Sequence, residues 1–238
     1  MFEKPRRMSP GQQAISRLVQ RYTQFRNEVF PDRQELFEDL AETQNPSVLF
    51  ITCADSRIVP ELILQSGPGD LFVCRNAGNI VPPYGELTGG VSATIEYAVD
   101  VLQVSAVIVC GHSDCGAMKA LLSPEKVQHL PSVAAWLRQA ETARRVVVDH
   151  YANADSKTVV EAIVQENVVA QIEHLETHPY VSLRVRKGEL EIYGWVYEIH
   201  TGQIETLDAS LGRFVPLNES NLVSATHPPR LRLPQAAT

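Results

Sequence analysis

The sequence predicts an α/β fold built on a mostly parallel sheet, and three observations lead there. Short unbroken apolar runs rich in β-formers alternate with stretches of helical period. Hydrophobic residues make up 44% of the chain and charged residues 21%, a globular profile that rules out collagen-like and disordered chains. A length of 238 residues suits one α/β domain, or at most two small ones.

The elements follow in order. Gln13, Ile15, Leu18, Val19, Tyr22 and Phe25 include an apolar stripe at helical spacing. Pro31-Asp32 breaks this helix, and Arg33–Leu40 resumes as a short amphipathic one. Such an arm must bury its stripe, either on its own domain or across a subunit interface. Ser47–Thr52 reads as a strand buried on both faces, and Asp70–Cys74 and Ser105–Cys110 read the same way. Between the last two, Gly90–Leu102 carries Val91, Ile95, Ala98 and Leu102 at helical spacing. Asp155–Thr177 is a long helix. Glu189–Ile199 and Gln203–Leu207 are strands separated by His200-Thr201-Gly202. From about Asn218 the chain holds Pro228, Pro229 and Pro234 without a period and is read as a tail.

Composition excludes several classes of function. No apolar run approaches the roughly 18 to 20 residues that span a bilayer. Met1–Arg7 carries charges with no apolar stretch behind them, which argues against a secretory leader. A net charge of −7 argues against nucleic acid as the main partner. It leaves room for a small anion, because a local arginine or metal outweighs global charge. Four cysteines are too few for a disulfide scaffold. Cys74 and Cys110 lie inside strands and read as buried, reduced thiols, which points to a reducing, cytoplasmic compartment. His129, His150, His174, His178 and His200 read as surface or core residues.

Two segments carry the chemistry. Cys53-Ala54-Asp55-Ser56-Arg57 follows the first buried strand, and Gly111-His112-Ser113-Asp114-Cys115-Gly116 follows the third. Ligands of open parallel sheets sit beyond the carboxyl ends of the strands, so Cys53, His112 and Cys115 converge if those strands are neighbours. Two thiolates and an imidazole suit tetrahedral Zn²⁺ and leave one position open, as catalytic zinc requires. The alternative is two buried thiols and a hydrogen-bonded histidine. Cys53, Asp55 and Arg57 alternate along an extended segment and so point to one side. Arg57 can then hold Asp55 bidentately, charged but off the metal. The alternative is a surface ion pair of little worth. The His-x-Glu and Pro-Cys-x-x-Cys of zinc deaminases and the Cys-x-x-Cys of thiol oxidoreductases do not occur.

At these residues the sequence resembles the β-class carbonic anhydrases, whose pattern is C-x-D-x-R followed by H-x-x-C. The likeness runs through Phe72–Asn79, Gly90–Tyr97 and Tyr193–Tyr197 and covers roughly residues 10 to 215. It is strongest toward the bacterial cyanase-associated members. The resemblance implies a mixed, mainly parallel sheet of four to five strands flanked by helices. It implies one domain over 1–215, with a helical arm at about 10–45, a zinc α/β core at about 46–210 and a tail at 216–238. It also implies N-terminal arms packing on a partner subunit in a homodimer or higher even homo-oligomer, with no nucleic-acid or membrane partner. Cys53, His112 and Cys115 would bind one Zn²⁺ per subunit, with Asp55 and Arg57 as the catalytic dyad. The implied reaction is reversible hydration of CO₂ to bicarbonate and a proton, by attack of zinc-bound hydroxide.

The family has a form with water as the fourth zinc ligand and a form in which the aspartate closes onto zinc beside an inhibitory Trp–Arg–Tyr bicarbonate site. Here Phe50 stands where that tryptophan falls, while Arg75 and Tyr197 match the other two. Gln44, Phe72, Tyr97 and Gly116 match the substrate-binding residues of the plant-like, water-bound form, which is therefore expected. Two competing readings are a zinc-stabilised assembly protein without turnover and a related lyase or hydrolase acting on CS₂ or COS.

Overall fold

A computed structural model of the chain describes residues 8–85 and 89–226. Met1–Arg7 and the tail prolines Pro228, Pro229 and Pro234 lie outside the described residues. The chain divides into two compact units, one ending at Gln44 and the other beginning at Asn45.

The first unit is helical. Ser9 caps α1 (Pro10–Gln24) by accepting from Gln12 N, and the Gln12 side chain bonds back to Ser9 N, a reciprocal capping box. A π-turn follows at Phe25–Val29, then a 3₁₀ turn at Pro31–Arg33 where the proline break was expected, then α2 (Gln34–Glu42). The rings of Phe25, Phe30 and Phe37 pack together, with centroids 5.2–6.1 Å apart. Farther back along α1, Ile15, Leu18, Val19 and Tyr22 are more than half exposed, so the apolar stripe read from the sequence is open to solvent.

The second unit is the α/β body. In chain order it contains β1 (Val48–Cys53), α3 (Pro60–Ile63), β2 (Leu71–Asn76), α4 (Gly90–Glu96), β3 (Ala106–His112) and α5 (Gly116–Leu122). Then come α6 (Pro131–Leu137), α7 (Glu141–His150), α8 (Ser156–Glu176), α9 (Pro179–Arg186), β4 (Glu191–Tyr197), β5 (Ile204–Asp208) and β6 (Arg213–Pro216). The sheet order is β2-β1-β3-β4-β5-β6. The first four strands are parallel, and β5 and β6 are antiparallel. Six strands replace the expected four to five. The additional β6 follows a turn in which Asp208 Oδ1 accepts from Ser210 N and Leu211 N, and Gly212 takes φ +61. Gly90–Leu102 is helical as expected but widens into a π-turn at Tyr97–Val101. The stretch beyond Asn218 is tied down as far as it is described: Ala225 N donates to Ile192 O at 2.6 Å, and Ala225 is fully buried.

Strand alternation sorts the core. Leu49, Ile51, Cys53, Val107 and Val109 point into the large core on one face of the sheet. Phe50, Ile108, Cys110 and Trp195 form a smaller cluster on the other. The long helix α8 lies on the larger side and is buried almost all round from Ala162 to Leu175. Two strand glycines let it come so close. A Cβ on Gly194 would stand 2.8 Å from Ile172 Cδ1 and 2.9 Å from Val168 Cγ1. One on Gly111 would stand 3.0 Å from Val168 Cγ2. Among the described residues no helix is long and apolar enough to cross a membrane.

Candidate active site

The parallel pairing of β1 with β3, Thr52 opposite Cys110, carries the ends of both strands to one edge of the sheet. Both strands run farther than the apolar runs suggested and end on Cys53 and His112 themselves. Cys115 follows in a short loop. Its preceding residue, Asp114, adopts φ +59, a left-handed conformation that aspartate tolerates. Ser113 anchors this loop to β4: its N–H donates to Tyr197 O at 2.9 Å, and its hydroxyl donates to Glu198 Oε1 at 2.9 Å.

The donor atoms of Cys53, His112 and Cys115 all lie within 4.8 Å of one another. All three residues are at most 5% exposed. His112 Nδ1 donates to Ser113 O at 2.9 Å, which fixes the tautomer and leaves Nε2 as a bare acceptor. That buried Nε2 has no hydrogen-bond partner. An orphaned imidazole nitrogen facing two sulfurs is costly unless something binds it, and a divalent cation meets that need. The two thiols act on each other: Cys53 is pulled down, first by the Cys115 S–H and then by the Gly78 and Asp55 amides, against burial. Cys115 is pushed up by the neighbouring Cys53 and by burial. A cation between them would favour both thiolates. The residues present therefore fit zinc.

Asp55 sits beside this group, Oδ2 being 3.9 Å from His112 Nε2. Arg57 holds it from the side. Oδ1 accepts from Arg57 N at 3.0 Å and from Nε at 2.9 Å, and Oδ2 accepts from Nη2 at 2.8 Å. These bonds keep the Asp55 carboxyl well below the usual carboxylate range. Asp114 braces the same guanidinium, accepting from Nη1 at 3.2 Å, and is itself paired with Lys119. The sequence reading quoted Asp114 within the His112–Cys115 segment but gave it no role; its position directly before the candidate ligand Cys115 was the available signal. Because the folded pKa of Asp55 is depressed, its pairing stabilises the fold fully above the unfolded value of about 3.9. That contribution disappears as pH falls through the lower folded value. Arg57→Gln is expected to bring the Asp55 pKa back up toward the ordinary range, as read by a carbon-13 NMR titration of its carboxyl. An unmoved pKa would show that Arg57 is not what depresses it.

The other sequence-identified residues fall in separate places. The Phe72 and Tyr97 rings face each other, with centroids 6.0 Å apart. Gly116 opens α5, and a Cβ there would meet nothing within 4 Å. Gln44 belongs to the N-terminal unit. Phe50 packs edge-on to Trp195 at 6.2 Å. Arg75 donates from Nε to Cys53 O at 3.1 Å and from Nη2 to Asp55 O at 2.8 Å, so it is engaged with the backbone of the dyad loop.

Cys53, His112 and Cys115 form a group of three donors that could hold a metal ion, with the tethered Asp55 carboxylate beside it. Comparison with known proteins agrees. Residues 48–204 match the family model described as carbonic anhydrase. A carbonic anhydrase of Pseudomonas aeruginosa is 49% identical over 208 residues, 87% of this chain and 94% of the relative. Carbonic anhydrase 1 of Escherichia coli O157:H7 is 48% identical over 223 residues, 94% of this chain and all of the relative. Among solved structures, the β-carbonic anhydrase CcaA superposes with a TM-score of 0.88 at 42% identity, covering 91% of this chain and 96% of its own. One of two β-carbonic anhydrases of Sordaria macrospora, described as tetrameric, has a TM-score of 0.75 at 32% identity, covering 82% and 97%. The chain belongs to the carbonic anhydrases, in their β class, and is a lyase of that family.

Proposed function

We propose that this enzyme hydrates CO₂ reversibly to bicarbonate and a proton. Cys53, His112 and Cys115 would hold one zinc ion per subunit, with the fourth position left to water. The observation that carries this reading is the Asp55–Arg57 pairing. A free carboxylate at that distance could fill the open position; one bound through three hydrogen bonds stays charged and beside it. When bound, zinc acts as a Lewis acid that brings the pKa of a coordinated water to roughly 7.

The residues of the chain do the rest. Asp55 Oδ2 offers a charged acceptor that orients the proton of the reacting water or of the bicarbonate hydroxyl. Phe72 and Tyr97 give the apolar wall against which CO₂ settles. The Gly116 N–H, at the first residue of α5, donates to a bicarbonate oxygen. Arg75 is committed to the Cys53 and Asp55 carbonyls and Phe50 packs against Trp195. Both facts count against an inhibitory anion site and favour the water-bound form. The need for two reduced thiols supports a cytoplasmic location. The exposed α1 stripe and the tetrameric relative support a homo-oligomer of even number, with α1 packed on a partner subunit. Light scattering returning a monomer would overturn that part.

Stopped-flow CO₂ hydration with a pH indicator, joined to metal analysis, tests the function. About one zinc per chain with rapid hydration is expected. Zinc without turnover would make the protein a zinc-stabilised assembly, and turnover of CS₂ or COS alone would make it a different lyase.

A further inference from the structure

We propose that Trp136, Asn167 and Gln171 are positioning residues for the metal ligand Cys53, acting through the backbone at Gly78. The inference rests on the zinc reading above and adds to it the machinery that sets the electron density of one sulfur.

Gly78 N donates to Cys53 Sγ at 3.4 Å, inside the sulfur limit for a hydrogen bond. The same peptide unit is pulled from its other end, where Trp136 Nε1 donates to Ala77 O at 2.8 Å. A donor on the carbonyl polarises the peptide and strengthens its N–H toward the sulfur, so the two bonds cooperate. The next peptide is held as firmly. Asn167 Nδ2 donates to Gly78 O at 3.0 Å. Gln171 Nε2 donates to Asn167 Oδ1 at 2.9 Å, and Gln171 Oε1 accepts from Val81 N at 2.8 Å. Asn167 and Gln171 are both fully buried within the long buried stretch of α8, where an amide is costly unless every group is matched. Farther along the same helical stripe His174 Nδ1 donates to Val81 O at 2.8 Å, so α8 tracks this loop over more than one turn.

The loop itself is shaped for this contact. Gly78 has φ +83, and a Cβ there would stand 3.0 Å from both Ala117 Cβ and Met118 Cε, on the helix that follows Cys115. The Asn76 side chain closes the loop at both ends of Ile80, accepting from its N–H at 2.7 Å and donating to its carbonyl at 2.9 Å. An N–H donated to a ligating thiolate withdraws charge from the sulfur, which leaves the bound ion more electron-poor. The amides of α8 and the Trp136 indole therefore tune Cys53 without touching it.

The test uses the full chain loaded with cobalt in place of zinc, whose sulfur-to-metal charge-transfer band reports the electron density of the thiolates. Trp136→Phe keeps a ring but loses the N–H, and Asn167→Leu keeps the volume but loses the amide. Both should move the band to lower energy. In the zinc enzymes kcat should fall roughly tenfold with KM unchanged. Ile172→Val, a core change on α8 away from the loop, should lower the melting temperature and leave the band in place. A band unmoved in both folded variants, or moved equally in Ile172→Val, overturns the inference. In the unsubstituted protein loaded with cadmium-113, the Gly78 amide proton should couple to the metal through the Cys53 sulfur. An absent coupling overturns it even where the variants do not fold. If the unsubstituted chain takes up no cobalt or cadmium, the functional reading itself fails, a result distinct from either of these.

Discussion

Cys53→Ser is expected to remove the metal and the activity together. A serine hydroxyl does not ionise near neutral pH, so the site would keep one thiolate and one imidazole and lose the donor that bridges to β1. Zinc content should fall from about one per chain to below about a tenth, and CO₂ hydration should fall to the level of solution. The fold should survive, because Cys53 is one member of a core built from many apolar residues on the same face of the sheet. Circular dichroism, metal analysis and stopped-flow on one preparation check all three statements. Retention of zinc and of activity would remove Cys53 from the ligand set.

Asp55→Asn should separate what Cys53→Ser removes together. The metal donors are untouched, so zinc should stay near one per chain. The asparagine NH₂ would face the Arg57 guanidinium, donor against donor, at an oxygen now bonded at 2.8 Å. The bidentate pairing would be lost, and with it the charged acceptor 3.9 Å from His112 Nε2. Hydration should drop by about a hundredfold or more, the usual scale for removing a positioned proton acceptor. An Asp55→Asn enzyme with unchanged kcat/KM would leave Asp55 as a surface ion pair and no more.

What the sequence revealed and what it hid both have physical causes. β1 and β3 were legible because strands buried on both faces carry continuous apolar runs, and β2, a half-buried edge strand, because its run is rich in β-formers. The metal cluster was legible because the rule for parallel sheets sends such strand ends to one edge. β6 was not, since it is four residues long, ends in Pro216 and takes its place from the Asp208 turn rather than from any period. The short helices α3, α5, α6 and α9 were passed over for the same lack of length, and the ten-residue α7 was passed over as well. The hold on Ala77 and Gly78 left no local mark at all, because Trp136 and Asn167 reach them from 59 and 89 residues away. Its one trace was the pair of amides, Asn167 and Gln171, spaced one turn apart among the valines, alanines and isoleucines of α8.

The topology also bears on how the enzyme matures in the cell. In a zinc finger the ligands lie close along the chain, and a nascent segment can capture its ion early. Here Cys53 and His112 come from strands roughly sixty residues apart that meet only when β1 and β3 pair. Such distant pairing is slow compared with local structure. Ribosomal synthesis must therefore run past Cys115, and the central strands must assemble, before the ion has a seat. On the zinc reading, metal loading would in consequence be a late event, and newly made chains in zinc-starved cells should accumulate folded and empty rather than unfolded.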